Sequence, residues 1–132
     1  MTASEKRIAA VLGDDIGRTP ENAQRYCAYL KKKLSFPVRV TGIEDFPWEE
    51  PYVIGGWDQE EYEELKKTNP SYTDTYDLLD ILNPESEDLV AVIKRISDGQ
   101  TFQVDLSWLR CVDKRSPAYV MLDDYAVWFV NY

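Results

Sequence analysis

The sequence predicts an α+β fold: a small, partly open β-barrel with helices packed outside it. Three observations predict it. The first third carries two capped, amphipathic helical patterns, and the second half carries short alternating runs divided by tight-turn signals. The chain's 132 residues, 44% hydrophobic and 30% charged, suit one globular domain with a real core. That domain, 1–132, divides into a helical part (1–35), a strand followed by an acidic loop and helix insertion (36–75), and barrel strands with a C-terminal element (76–132).

Ser4 is a candidate cap for a helix over 5–12, where Ile8, Val11 and Leu12 share a face and Gly13 stops it. Thr19-Pro20-Glu21 opens a stronger helix, with Pro20 at its first position and an apolar stripe of Ala23, Tyr26, Cys27, Leu30 and Leu34. Lys31, Lys32 and Lys33 fall in its last turn, where cations suit the negative end of the dipole. Phe36-Pro37 ends it, and 38–43 alternates as a strand. Pro47, Trp48, Pro51 and Gly55-Gly56 make 45–57 a loop. Asp58 then caps a short helix through Lys67, which Asn69-Pro70 breaks.

Residues 76–82 and 89–97 are strand candidates. Asp98-Gly99 signals a hairpin with a type I′ turn, followed by the alternating run of Phe102, Val104 and Leu106. Ser116-Pro117 caps a last helix with Val120, Tyr125, Trp128 and Phe129 on its buried side, although 126–130 also suits a strand.

Composition excludes several functions. The net charge of −9 opposes nucleic acid as a partner, since phosphate binding needs clustered Lys and Arg. No apolar run reaches the roughly 18–20 residues of a membrane span, and residues 1–13 are too charged for a secretory signal. There is no histidine, which removes Ser-His and Cys-His nucleophile pairs and the HExxH zinc motif. Acid–base catalysis would fall to paired carboxylates, and none stands out as a pair, so the chain reads as non-enzymatic. Cys27 and Cys111 read as reduced core thiols of a cytoplasmic protein.

The charge is unevenly spread. From Glu44 to Asp88 there are fifteen acidic residues and two basic ones, a charge of −13, while the rest of the chain carries +4. Such density destabilises a compact state unless bulk cations, a basic partner or a bound metal offsets it. The carboxylates cluster as Glu49-Glu50, as Asp58, Glu60, Glu61, Glu63 and Glu64, as Asp74, Asp77 and Asp80, and as Glu85, Glu87 and Asp88. A hard divalent cation takes six to eight oxygens at roughly 2.3–2.6 Å, which such clusters can supply together with waters and carbonyls. No EF-hand loop is present, so a solvated acidic face is the plain alternative.

Tyr29-Leu30 with Leu34 and Phe36-Pro37, the stretch 89–109, and Asp124-Tyr125 with Trp128 resemble the CcbP-type calcium-binding proteins, small acidic proteins described from cyanobacteria. The resemblance spans much of the chain beyond about residue 22 and departs from it at 57–75 and in the first helix. It implies an SH3-like barrel that binds calcium (Ca2+) through acidic side chains. The expected ligands are Asp58, Glu60, Glu61 and Glu64 on the short helix and Asp74, Asp77 and Asp80 entering the next strand, brought together by folding. The expected affinity is low to moderate, suiting a buffer or sensor. The alternative is an acidic interaction module for a basic protein partner, with Trp57, Tyr62 and Tyr72 as its contact rings.

Overall fold

The computed structural model describes residues 2–85 and 88–132. Helix α1 spans Ala3–Leu12. Its cap is Thr2 rather than Ser4: the Glu5 amide donates to Thr2 Oγ1 at 3.1 Å, so the helix starts two residues earlier than the sequence suggested. Helix α2, Pro20–Lys33, has the expected Thr19 cap and buries Ala23, Tyr26, Cys27 and Leu30 on one face. A cis Phe36–Pro37 bond leads into strand β1, Val38–Gly42.

The stretch expected to be a plain loop is partly helical. A 3₁₀ turn at Pro47–Glu49 runs into a one-turn helix α3, Glu50–Val53. Pro47 and Pro51, taken as breakers, sit instead at helix starts, where a missing N–H costs nothing. Helix α4, Gln59–Leu65, begins at Asp58 as expected; Asp58 Oδ1 accepts the amides of Glu60 and Glu61.

Four more strands follow: β2 (Thr75–Leu82), β3 (Val90–Arg95), β4 (Thr101–Asp105) and β5 (Leu109–Cys111). They form one antiparallel sheet in the order β4-β3-β2-β1-β5. The sheet is not closed: β4 and β5 are its edges, and no ladder joins them among the described residues. An irregularity between Leu78 and Asp80 shifts the register with β3, so Tyr76, Leu78 and Ile81 all point into the core although their spacing breaks strict alternation.

The β3–β4 hairpin is present, but its turn is not type I′. Gly99 alone takes positive φ (75°), and the loop is closed by the Gly99 amide donating to the Arg95 carbonyl at 2.8 Å. Asp98 keeps ordinary backbone geometry because its carboxylate is committed to Arg95. Helix α5, Pro117–Asn131, capped by Ser116, resolves the ambiguous tail as helix. Helices α1, α2 and α5 bring Ile8, Leu30, Tyr26, Leu122, Tyr125 and Trp128 against the strand residues Val40, Tyr76, Leu78 and Ile93, all nearly inaccessible to water. The Arg7 guanidinium grips Asp124 through two bonds of 2.6 and 3.0 Å, tying α1 to α5. Both cysteines are buried and free, as expected of core thiols.

Gly42 ends β1 under Tyr72. A Cβ there would lie 2.5 Å from Tyr72 Cβ and 2.9 Å from its carbonyl oxygen, while the Gly42 amide donates to that same oxygen at 3.1 Å. Backbone contacts cannot give way cheaply. Gly42→Ala is expected to cost about 1–3 kcal/mol, read as a lower urea midpoint; a variant as stable as the parent would show that the 69–73 segment moves freely.

Candidate functional site

The expected cation ligands lie on two elements, helix α4 and the start of β2 with the segment before it. On α4, Glu60, Glu61 and Glu64 are exposed, and Asp58 is occupied as the helix cap. Glu64 pairs with Lys67 at 2.8 Å, and Glu63 lies 3.8 Å from Lys66. On and before β2, each carboxylate meets its own cation. Asp74 pairs with Arg95 (3.1 Å), Asp77 with Arg39 (3.0 Å) and Asp80 with Lys31 (3.4 Å). Among the described residues, no three Asp, Glu or Cys side chains gather as a group able to hold a metal ion. Among the described residues no preformed cage joins the α4 set to the β2 set. The β2 aspartates are drawn to cations on other elements, Lys31, Arg39 and Arg95, whereas the α4 carboxylates meet Lys66 and Lys67 that directly follow them. Glu87 lies outside the described residues.

The three expected contact rings have different fates. Trp57 is exposed and meets Tyr52 edge-on, with ring centroids 5.9 Å apart. Tyr62 is buried, stacked on Tyr52 at 5.3 Å, and its hydroxyl donates to Glu49 at 2.8 Å. Tyr72 is half-buried over Gly42.

Sequence reasoning did not single out Glu49. It is wholly buried and has no ion pair among the described residues, yet its carboxylate is fully satisfied. Oε1 accepts from Tyr62 Oη and from Ser71 Oγ (2.5 Å), and Oε2 accepts the amides of Phe46 (3.1 Å) and Tyr72 (3.0 Å). Four donors from three segments replace the lost hydration of the charge. The one signal available was position: Glu49 follows Phe46 by three residues, the spacing at which a side chain reaches back to its cap amide.

Arg95 is the second organiser. Its guanidinium is almost wholly buried and donates to Asp98, Asp74 and the carbonyls of Lys66, Lys67 and Asn69. It stitches the end of α4 and the following loop to the β3–β4 turn. This guanidinium, aided by the Gln100 amide, holds the Asp98 carboxyl well below the usual carboxylate range. At the other end of β3, Asp88 is buried and accepts from Tyr125 Oη (2.5 Å) and from Ser107 Oγ and its amide. Burial pushes its carboxyl up, and the Ser107 and Tyr125 donors oppose the shift.

Glu49→Gln puts an NH₂ group where two donors already point. The expected loss is about 2–4 kcal/mol of stability in urea, with the fluorescence of Trp48 and Trp57 changing at lower denaturant than the rest of the fold. An unchanged midpoint would remove Glu49 as the anchor. For Asp98 the sign follows from its depressed folded value. Its stabilisation is present above the unfolded carboxylate range near pH 4 and is lost as pH falls through the folded value. The stability gap between the parent and Asp98→Asn should therefore be wide at about pH 7 and narrow on acidification below about pH 4. A gap independent of pH would contradict the ion pair.

Two solved structures are similar to this fold. Anabaena CcbP matches with a TM-score of 0.62 at 17% identity, over 95% of this chain and 87% of that one. A calcium-binding protein in the calcium-binding form matches with a TM-score of 0.60 at 17% identity, over 98% of this chain and 96% of that one. No protein-family model and no curated protein matches the sequence. The chain thus shares the CcbP-like fold that the sequence resemblance implied, and does so over nearly its whole length rather than only beyond about residue 22.

Proposed function

We propose that this chain is a non-enzymatic, cytoplasmic calcium-binding protein, built on an SH3-like, partly open sheet and serving as a buffer or sensor. The observation that carries the reading is a fold shared with two proteins, one of them captured in its calcium-binding form, on a chain with a −13 segment. The described residues form no closed cage, so the residues at hand suit a weak, water-rich site rather than a preformed one. The ligand set we assign is Asp58, Glu60, Glu61 and Glu64, with Asp74, Asp77 and Asp80 as further oxygens. The α4 carboxylates lead, because Glu60 has no ion pair among the described residues, whereas the β2 aspartates each hold a cation already. Affinity near 10⁻⁵ to 10⁻³ M is expected for so open a set (roughly the range of weak carboxylate sites).

A basic protein partner at Trp57, Tyr62 and Tyr72 is the weaker reading. Tyr62 is buried with its hydroxyl spent on Glu49, and Tyr72 covers Gly42, which leaves Trp57 as the accessible ring.

Calcium should raise the melting temperature beyond an ionic-strength-matched sodium control, following RT ln(1 + [L]/Kd), and magnesium should raise it less. The triple variant Glu60→Gln, Glu61→Gln, Glu64→Gln should melt higher without calcium and lose the calcium-dependent gain. A parent with no response beyond sodium sinks the calcium reading. A triple variant that responds like the parent moves the site off α4.

A further inference from the structure

Between the loop after β1, helix α3 and the end of α5 lies a groove of about 580 Å³. Its walls are Ile43, Ile54, Trp108 and Val130, and its rim carries Glu44, Asp45 and Glu50. Three of the wall residues are large apolar side chains left open to water: Ile43 is 47% exposed, Ile54 71% and Val130 72%. The walls are rigidly mounted. The Ile43 amide donates to the Trp108 carbonyl at 2.9 Å, and the Trp108 ring packs on buried Phe46 with centroids 5.2 Å apart. None of the three rim carboxylates has an ion pair or hydrogen bond among the described residues, although carboxylates on β2 find cations.

We propose that this groove docks a segment of a partner protein carrying aliphatic side chains flanked by Lys or Arg. Exposed apolar walls gain from burial, and unpaired acids at the rim select positive charge and steer its approach. Charge complementarity sets the occupant. A second copy would bring a like acidic rim against this one, and an anionic membrane surface would be repelled by the same three carboxylates. The groove shares none of its lining with the calcium ligands proposed on α4 and β2, so its test is run in EDTA and does not depend on calcium.

The probe is a synthetic amphipathic helix made only of leucine and lysine, titrated into the full chain and followed by calorimetry. Micromolar binding is expected. Ile54→Asn with Val130→Asn should weaken it about tenfold or more, both sites being exposed enough to keep the fold, which melting curves check. Glu44→Gln, Asp45→Asn and Glu50→Gln together should weaken it similarly and flatten its salt dependence. The decisive comparison is Glu5→Gln, Glu21→Gln and Glu63→Gln, which removes the same charge elsewhere and should leave binding within about twofold. Equal loss in both charge triples would mean that a −9 protein merely attracts any polycation, and the proposal falls. It also falls if the peptide does not bind. A dimer in sedimentation that Ile54→Asn dissolves would give the groove to a second copy instead.

Discussion

A buried carboxylate with no ion pair among the described residues holds the acidic third of this protein in place. Glu49 sits at the junction of the turn after β1, helix α4 and the segment before β2, and it draws one donor or more from each. An isolated charge in that position is costly unless its lone pairs are filled, and here all of them are engaged by geometry that only the folded chain supplies. The local sequence on its own is a poor helix former, rich in Pro and Gly, and the −13 stretch repels itself. Glu49 turns one of those charges into the knot that closes the segment. The Trp48 indole, donating to the Pro70 carbonyl at 2.7 Å, tightens the same junction.

Charge elsewhere in the segment is handled by position. Where the acidic stretch becomes sheet, it meets the positive remainder of the chain, and Arg39, Lys31 and Arg95 each take an aspartate. Arg95 does so as a buried hub whose donors are shared among two carboxylates and three carbonyls, so its own charge is dispersed. Partly exposed pairs such as Lys31–Asp80 add little to stability by themselves. Their consequence is selective: they consume the acids of β2, while Glu60 and Glu61 on α4 and the carboxylates at the rim beside Ile43 and Ile54 are without ion pairs among the described residues.

Much of the fold was legible because its punctuation is local. Thr19-Pro20, Asp58 and Ser116-Pro117 cap their helices as read, and the alternation of Phe102, Val104 and Leu106 marks β4. Errors arose where two residues of one type compete or where distant groups decide. Thr2 and Ser4 are both good caps, and in the structure it is Thr2 that takes the Glu5 amide. Asp98-Gly99 suggested a type I′ turn, but Arg95 claims the Asp98 carboxylate and a longer loop results. Glu49 and Glu50 are adjacent and alike in sequence. One is wholly buried and the other solvent-facing because Tyr62 and Ser71, more than ten residues away, converge on the first. The clustering of acids was readable; which of them would be neutralised was not, since the cation partners come from distant elements, Lys31 on α2, Arg39 on β1 and Arg95 on β3.

That partition gives one acidic segment two different surfaces, on which the two proposed sites rest. The α4 carboxylates Glu60, Glu61 and Glu64 stand exposed on a short helix, a setting in which a hard cation keeps much of its own water. The rim carboxylates stand beside exposed isoleucines and a half-buried indole, where an ion would gain nothing from the apolar wall but an aliphatic cationic side chain would gain from both. Charge density alone does not distinguish the two sites. The neighbouring surface does, and it is set by Glu49 and Arg95, which fix α4 and the turn after β1 on opposite flanks of the same loop system.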